Sequence, residues 1–385
     1  MSDLQQGHIG FQGSCRHFMS STILCDQEVA SSLKNGNSQA AFRAIAEAID
    51  PASTDGLLEI EILKGTYQFE PGTHILKDGS AIAVSKLGLV QAYFTALQVL
   101  KPYMMAGGCR GTVAEEDELL SATAVILLMD PEHLTAANTR KRIIKAYSDR
   151  EPADTGRLRD LVILEKRFLD SLLTSHLHRH TKSPTLWSHR RCLLPHFIRH
   201  GLFNVEKDIS NIVMVAAERH ARNYYAWHHA RMLLKLLDVP EEAVRGRLEQ
   251  AVFTWCTRHH DDVSGWSFLR HLLLKDGWYD AERKAAVVRK THRLARSMRW
   301  TNESVWWFLR TAAPLDPTTA GADDFYISHS EMANAMGQHS VFRNPDDKPV
   351  DEHLAGVDAK TALTILDAAK AWYMASYKLI KEAGS

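Results

Sequence analysis

An all-α fold, a solenoid of stacked helical hairpins, is predicted by three observations. Trp187, Trp227, Trp266 and Trp306 recur at intervals of 40, 39 and 40 residues. Each is followed four positions later by arginine: Arg191, Arg231, Arg270 and Arg310. Between these motifs lie stretches long enough, and apolar enough in their spacing, for one further helix each. A fixed period of this length is the mark of one supersecondary unit used repeatedly. Each hairpin then buries its open face against the next, so the array needs no separate globular core.

The elements follow in chain order. Residues 1 to about 38 are rich in Ser, Gln, Asn and Gly and are expected to be partly disordered, and residues 1–56 are drawn as an irregular N-terminal extension. Within them AAFRAIAEAI (Ala40–Ile49) reads as a helix closed by Asp50-Pro51. LLEIEIL (Leu57–Leu63) alternates as a strand, and Ala81–Val84 is apolar but short; they pair as a small β element or lie as an extended cover on the first helices. Helices are expected over Leu87–Leu100 and Glu115–Leu128. A degenerate first copy of the motif stands at Ala137–Lys141, with alanine in the tryptophan slot and lysine in the arginine slot.

Apolar pairs two and three residues beyond the basic position extend each motif into an amphipathic stripe: Ile143 and Ile144, Leu193 and Leu194, Leu233 and Leu234, Leu272 and Leu273, with Ala312 and Ala313 in the last. Arg157–Ser175, Ile209–Glu218, Glu241–Cys256 and Tyr279–Met298 are the intervening helices. Pro314–Asp324 breaks the array, and Gly337–Val357 is a second loop before a terminal helix, Ala359–Lys381. The repeat domain is drawn as 57–381, with motifs around 130–142, 183–191, 223–231, 262–270 and 303–310.

Composition narrows the function. Lys plus Arg and Asp plus Glu number 46 each, so no basic excess recruits nucleic acid or anionic lipid. The five cysteines (Cys15, Cys25, Cys109, Cys192, Cys256) are odd in number and lack CxxC spacing, which points to free thiols in a reducing, cytoplasmic setting. No apolar run is long enough for a transmembrane segment, and no charged stretch leads into an apolar signal core. The histidines at 176, 178, 180, 189, 228, 229, 259 and 260 stand in no ligand pattern with cysteine or carboxylate, so no metal site is assigned. His189 and His229 share a repeat position with Phe268 and Phe308, which favours packing. The tryptophans read as core anchors, and the arginines as packed stems with a hydrogen bond to the next hairpin or toward a partner.

SPTLWSHRR (Ser183–Arg191), NYYAWHHAR (Asn223–Arg231), DVSGWSFLR (Asp262–Arg270), ESVWWFLR (Glu303–Arg310) and DPEHLTAANTRKR (Asp130–Arg142) resemble the repeats of the protein prenyltransferase α subunits. SKLGL (Ser85–Leu89), the KSP before Trp187, the Ser264-Gly265 pair and the loop before the last helix resemble the branch called protein prenyltransferase α subunit repeat-containing protein. The resemblance implies that the hairpins form a right-handed α–α superhelix in a crescent, and that the chain is a subunit and not a complete enzyme. It implies a β subunit carrying zinc, a prenyl diphosphate as co-substrate, geranylgeranyl or another length, and transfer to a C-terminal cysteine of a protein substrate.

It also implies that Lys182, five residues before its tryptophan, and Tyr224, three before the next, approach the diphosphate as catalytic groups. Arg222 and Asn223 are weaker diphosphate-proximal candidates, and Asn223 suits a helix cap. Pro184, where a second tyrosine is usual, and Ala230, where arginine is usual, depart from the pattern. A non-catalytic scaffold or adaptor derived from the same family therefore stays open. A tetratricopeptide array is disfavoured by its shorter period.

Overall fold

The computed structural model describes residues 37–53, 56–63, 69–70, 72–105, 111–149, 155–237, 240–312, 322–341 and 359–383. Cys15, Cys25, Cys109, Ala313 and nearly all of the extension expected to be disordered lie outside them. The chain forms two compact units divided between Phe203 and Asn204.

In the first unit, α1 (Ser38–Ala48) starts where the Asn37 side chain accepts the Ala40 N–H, and it buries Ala41, Phe42, Ile45 and Ala48. A three-stranded sheet follows: β1 (Glu59–Leu63), β2 (Ile75–Asp78) and β3 (Ala81–Ser85), in the order β1-β3-β2. β1 runs parallel to β3, with Glu59 opposite Ala81. β2 runs antiparallel, with Ile75 opposite Val84. The sequence pattern anticipates β1 and β3 but not β2. Its signal is the Asp78-Gly79 dipeptide, where Gly79 takes φ +58° at no Cβ cost. The sheet is also a cover: the N–H groups of Leu58 and Ile60 donate to the hydroxyls of Ser171 and Ser175, at 2.9 and 2.8 Å.

α2 (Lys86–Met105), α3 (Val113–Met129), α4 (Leu134–Ser148) and α5 (Thr155–Thr174) follow. A Cβ on Gly88 would meet the His74 ring at 2.7 Å, so glycine in SKLGL lets α2 lie against the β2 side of the sheet. Thr112 and Glu115 cap α3 reciprocally. The first complete motif is split, with α7 (Pro184–Cys192) ending where α8 (Leu194–Arg199) begins, after a one-turn α6 (His178–Thr181). Pro195 supplies the reason, since it has no N–H with which to continue the ladder of α7.

The second unit opens with α9 (Val205–Lys207), a π segment (Asp208–Val213) and α10 (Met214–Arg219). It continues with α11 (Tyr224–Lys235), α12 (Glu242–Arg258), α13 (Val263–Leu273), α14 (Ala281–Ser297), α15 (Glu303–Ala312), α16 (Ala322–Val341) and α17 (Ala359–Ala383). Both expected loops after the array are shortened by α16. It gains Asp323 and Asp324 at its dipole-favoured N-terminus and passes through Gly337, because one glycine weakens a helix without ending it. On α13, a Cβ at Gly265 would fall within contact distance of the Trp255 ring, so this glycine sets how closely α12 and α13 approach.

The motif tryptophans fill equivalent places, as their spacing demands. Trp187 is 3% exposed, and Trp227, Trp266 and Trp306 are fully buried. Three of them donate their indole N–H to the carbonyl six residues back: Trp187 to Thr181, Trp266 to His260 and Trp306 to Trp300, each at 2.9 Å.

Candidate functional site

A second periodicity positions the candidate site. Four residues before each motif position stands a side chain that caps the motif helix. His133 accepts from the Ala136 N–H at 3.1 Å and Ser183 from Leu186 at 3.0 Å. Asn223 accepts from Ala226 at 3.2 Å, Asp262 from Ser264 at 2.8 Å and Asn302 from Val305 at 3.1 Å. These caps satisfy N–H groups that no helical carbonyl reaches. Ser183, Asn223, Asp262 and Asn302 are cap-type residues at one offset from the tryptophans, so the signal for these caps is legible in the sequence. Ser183, Asn223 and Asp262 are buried.

Lys182 directly precedes the Ser183 cap and is exposed. The turn that carries it is pinned from below. His180 Nε2 lies 3.0 and 2.9 Å from the carbonyls of Leu127 and Leu128, so the proton sits on Nε2 and is shared between them. Burial pushes this imidazole down to about 4, hence it is neutral near pH 7. Ser183 Oγ donates to the Pro131 carbonyl at 3.1 Å, and Thr185 to Glu132 at 2.6 Å. The lysine therefore projects from a fixed frame at the N-terminal end of α7.

Tyr224 directly follows the Asn223 cap, as the first residue of α11, and is 61% exposed. Its ring meets Tyr225 edge-on at 5.6 Å and stacks on His228 at 5.7 Å. Arg222 is exposed with a left-handed φ of 57°, and its N–H donates to Asp262 at 2.6 Å. Asn223 is fully buried, and its amide also donates to the Ala216 carbonyl at 3.3 Å. Asn223 thus holds the turn, and Tyr224 is the side chain it presents. Lys182 belongs to the first unit and Tyr224 to the second.

Two of the motif arginines reach forward along the repeat. Arg231 donates to Ser267 at 2.9 Å with its guanidinium 5.9 Å from the Phe268 ring. Arg270 donates to the Thr311 carbonyl at 3.3 Å. Arg310 pairs with Glu303 at 2.7 Å within its own helix, and Arg191 is exposed beside Ser188.

Among the described residues, no group of three or more His, Cys, Asp or Glu is arranged to hold a metal ion, so the residues described in this chain do not fit a zinc site. Several histidines pack instead. His259 stacks on Trp255 and His260 on Trp300, while His189 and His229 are buried. The described residues also contain no helix long and apolar enough to cross a membrane.

Residues 186–298 match the family described as the ECM9 middle domain. The chain is 27% identical to Protein ECM9 of Saccharomyces cerevisiae over 46% of its own length and 44% of that protein. It is 27% identical to the geranylgeranyl transferase type-2 subunit alpha of Candida albicans, over 32% of each chain. It is 29% identical to protein prenyltransferase alpha subunit repeat-containing protein 1 of Homo sapiens, over 41% of this chain and 40% of that one. The chain thus spans less than half the length of the curated relatives it matches.

Proposed function

We propose that this chain, a relative of the protein prenyltransferase α-subunit-like family, is the α-type subunit of a two-chain protein prenyltransferase. In this reading a β subunit supplies the isoprenoid cavity and the zinc that lowers the pKa of the acceptor thiol. The acceptor sulfur bonds to the first carbon of the prenyl group as the carbon–oxygen bond to diphosphate breaks. Negative charge gathers on the departing diphosphate. This chain contributes the Lys182 ammonium and the Tyr224 hydroxyl as donors aimed at that charge. One observation carries the reading: both side chains are exposed immediately beside buried caps, at the N-terminal ends of motif helices. Free N–H groups and the helix dipole favour an anion at such ends.

The family's scaffold alternative draws on a different residue. Pro184, exposed at the first position of α7, stands where the resemblance calls for another hydroxyl donor. The two readings part in single-turnover transfer of a geranylgeranyl group by the chain reconstituted with a β subunit. Lys182→Ala is expected to slow transfer on the order of ten- to a thousandfold, the effect of losing one oxyanion-type donor. Tyr224→Phe is expected to slow it less, because a neutral donor is weaker than a charged one. Unchanged rates for both, with β binding intact, overturn the catalytic assignment. No transfer by any reconstituted pair that nevertheless forms a stable complex establishes the scaffold.

A further inference from the structure

The first unit holds a cleft of about 490 Å³ between α4 and the α7–α8 junction. Its floor is apolar: Pro195 is exposed there, beside the buried Ile144 and Leu193. Its walls are basic, carrying Lys141, Arg142, Lys145, His196 and Arg199. Asp149 is the carboxylate among the lining residues, and it is paired with Lys145 at 2.6 Å. Among the described residues, Lys141, Arg142 and Arg199 have no ion-pair partner. In a chain with equal numbers of acidic and basic residues, this is a local concentration of charge. Like charges held together repel, and a bound anion relieves that repulsion.

The cleft is separate from the candidate site. Lys182 precedes the N-terminus of α7, whereas the cleft takes Cys192 and Leu193 from its other end, about 13 Å of helix away at 1.5 Å per residue. The lining also narrows the ligand. A free phosphate would use the basic walls and leave the apolar floor wet. A single nucleic-acid strand would want large aromatic faces for its bases, and among the described residues no Phe, Tyr or Trp lines the cleft. Basic walls over an apolar floor match a peptide whose carboxylates and apolar side chains alternate. The volume falls within the range of ligand-holding clefts.

We infer that this cleft docks an acidic segment of a partner protein, with its carboxylates on Lys141, Arg142 and Arg199 and its apolar side chains on Pro195 and the alkyl stems of the basic walls. The site is independent of prenyl transfer, and its test reads binding to the isolated full chain. The probe is a fluorescein-labelled peptide of about ten residues alternating Glu and Leu, followed by fluorescence polarisation. It is expected to bind at least about tenfold tighter than its Gln–Leu counterpart and tighter than a Glu–Ser peptide. Its affinity is expected to fall as salt rises, because exposed charges are screened.

The triple variant K141E/R142E/R199E is expected to lose at least about tenfold in affinity for the Glu–Leu peptide and to gain affinity for a Lys–Leu peptide. Lys101→Glu, an exposed change elsewhere in the unit, is expected to alter neither. If the triple variant loses its helical circular dichroism, Arg199→Gln alone carries the test, with a loss of about threefold. Equal binding of the Glu–Leu and Gln–Leu peptides, or an unchanged affinity in a folded variant, overturns the inference. Displacement of the peptide by an oligothymidylate at lower concentration than by unlabelled peptide reassigns the cleft to nucleic acid. Displacement by tripolyphosphate with no preference for Leu over Ser reassigns it to a free anion.

Discussion

The two units fill one place in the repeat with opposite chemistry. Three residues beyond the motif position stand Arg140 and Arg190 in the first unit, but Ala230, Leu269 and Leu309 in the second. Arg140 is 5% exposed and grips Glu165 through Nε at 2.9 Å and Nη2 at 2.6 Å, with Nη1 on the Leu120 carbonyl. Arg190 is fully buried and holds Asp170 at 2.7 Å, and Asp170 also takes Lys166 at 2.6 Å. In the second unit, by contrast, Trp227 lies 5.1 Å from Phe268 and Trp266 the same distance from Phe308. Aromatic pairs of this kind add about 0.5–1.5 kcal/mol each beyond their burial. A buried ion pair gives back most of its attraction as lost hydration, so its return is specificity of register more than stability. The repeat therefore fixes which positions are buried and leaves open how each burial is satisfied.

Removing one member of an ion pair is the most forceful way to break this comparison. Asp170→Ala removes the buried carboxylate that Arg190 and Lys166 share, and urea unfolding is expected to show a loss of about 3–5 kcal/mol. Replacing Arg190 by Met and Asp170 by Leu together, which imitates the second unit, is expected to be neutral or to stabilise by about 1–4 kcal/mol. A cost below about 1 kcal/mol for Asp170→Ala would mean that the pair holds nothing in place.

Acid probes the neighbouring position, occupied by Thr139 and His189 in the first unit and by His229, Phe268 and Phe308 in the second. Burial pushes the His189 imidazole down to about 4, and Arg140 and Lys141 oppose its charging while Glu165 favours it. Burial alone would raise the Glu165 carboxyl, but Arg140 overrides it and holds the group below the usual carboxylate range. The unfolded chain therefore takes up a proton at His189 below about pH 6.5, and the folded chain does so only near 4. Stability contributed by the neutral ring is complete above the unfolded value and is lost as the pH falls between the two. His189→Phe is expected to remove about 2 kcal/mol of the stability lost between pH 7.5 and pH 5, from the one pKa unit to 1.36 kcal/mol conversion. Chemical denaturation at the two pH values measures it, and an unchanged difference would show that His189 is hydrated or charged in the fold.

The same comparison marks how far the residues alone could be read. The tryptophan period announced the hairpins and the burial of all four indoles, because a large apolar side chain at a fixed spacing has one low-energy place. The ion pairs stayed hidden: Arg140 and Glu165 lie 25 residues apart, and nothing local in either sequence window distinguishes a buried arginine from a solvated one. β2 was missed because four residues, ILKD, carry too little alternation, although the Asp-Gly turn beside it was legible. For the candidate site, the residue types and their offset from the tryptophans placed Lys182 and Tyr224 at helix starts. Their exposure, against the burial of the adjoining caps, depends on the packing of Pro131 over Ser183 and Ala216 over Asn223.

The smallest expected effect tests whether the second unit is itself uniform. Trp266 donates to the His260 carbonyl, but the buried Trp227 Nε1 has no hydrogen-bond partner. The carbonyl at the matching position, Ala221, lies 3.0 Å from His220 Nδ1, in a turn whose left-handed residue is Arg222. Before Trp306 the left-handed residue is instead Arg299, which leaves the Trp300 carbonyl aimed at the indole. A two-residue shift in where the turn bends thus separates the unmet donor from the met one. Trp266→Phe removes packing and a hydrogen bond, whereas Trp227→Phe removes packing and relieves an unmet donor. The first is expected to cost about 1 kcal/mol more than the second, the net worth of one intramolecular hydrogen bond. Urea midpoints of the two variants, at unchanged slope, measure the difference. Equal costs would mean that the Trp227 indole finds a partner, such as an ordered water, in the folded protein.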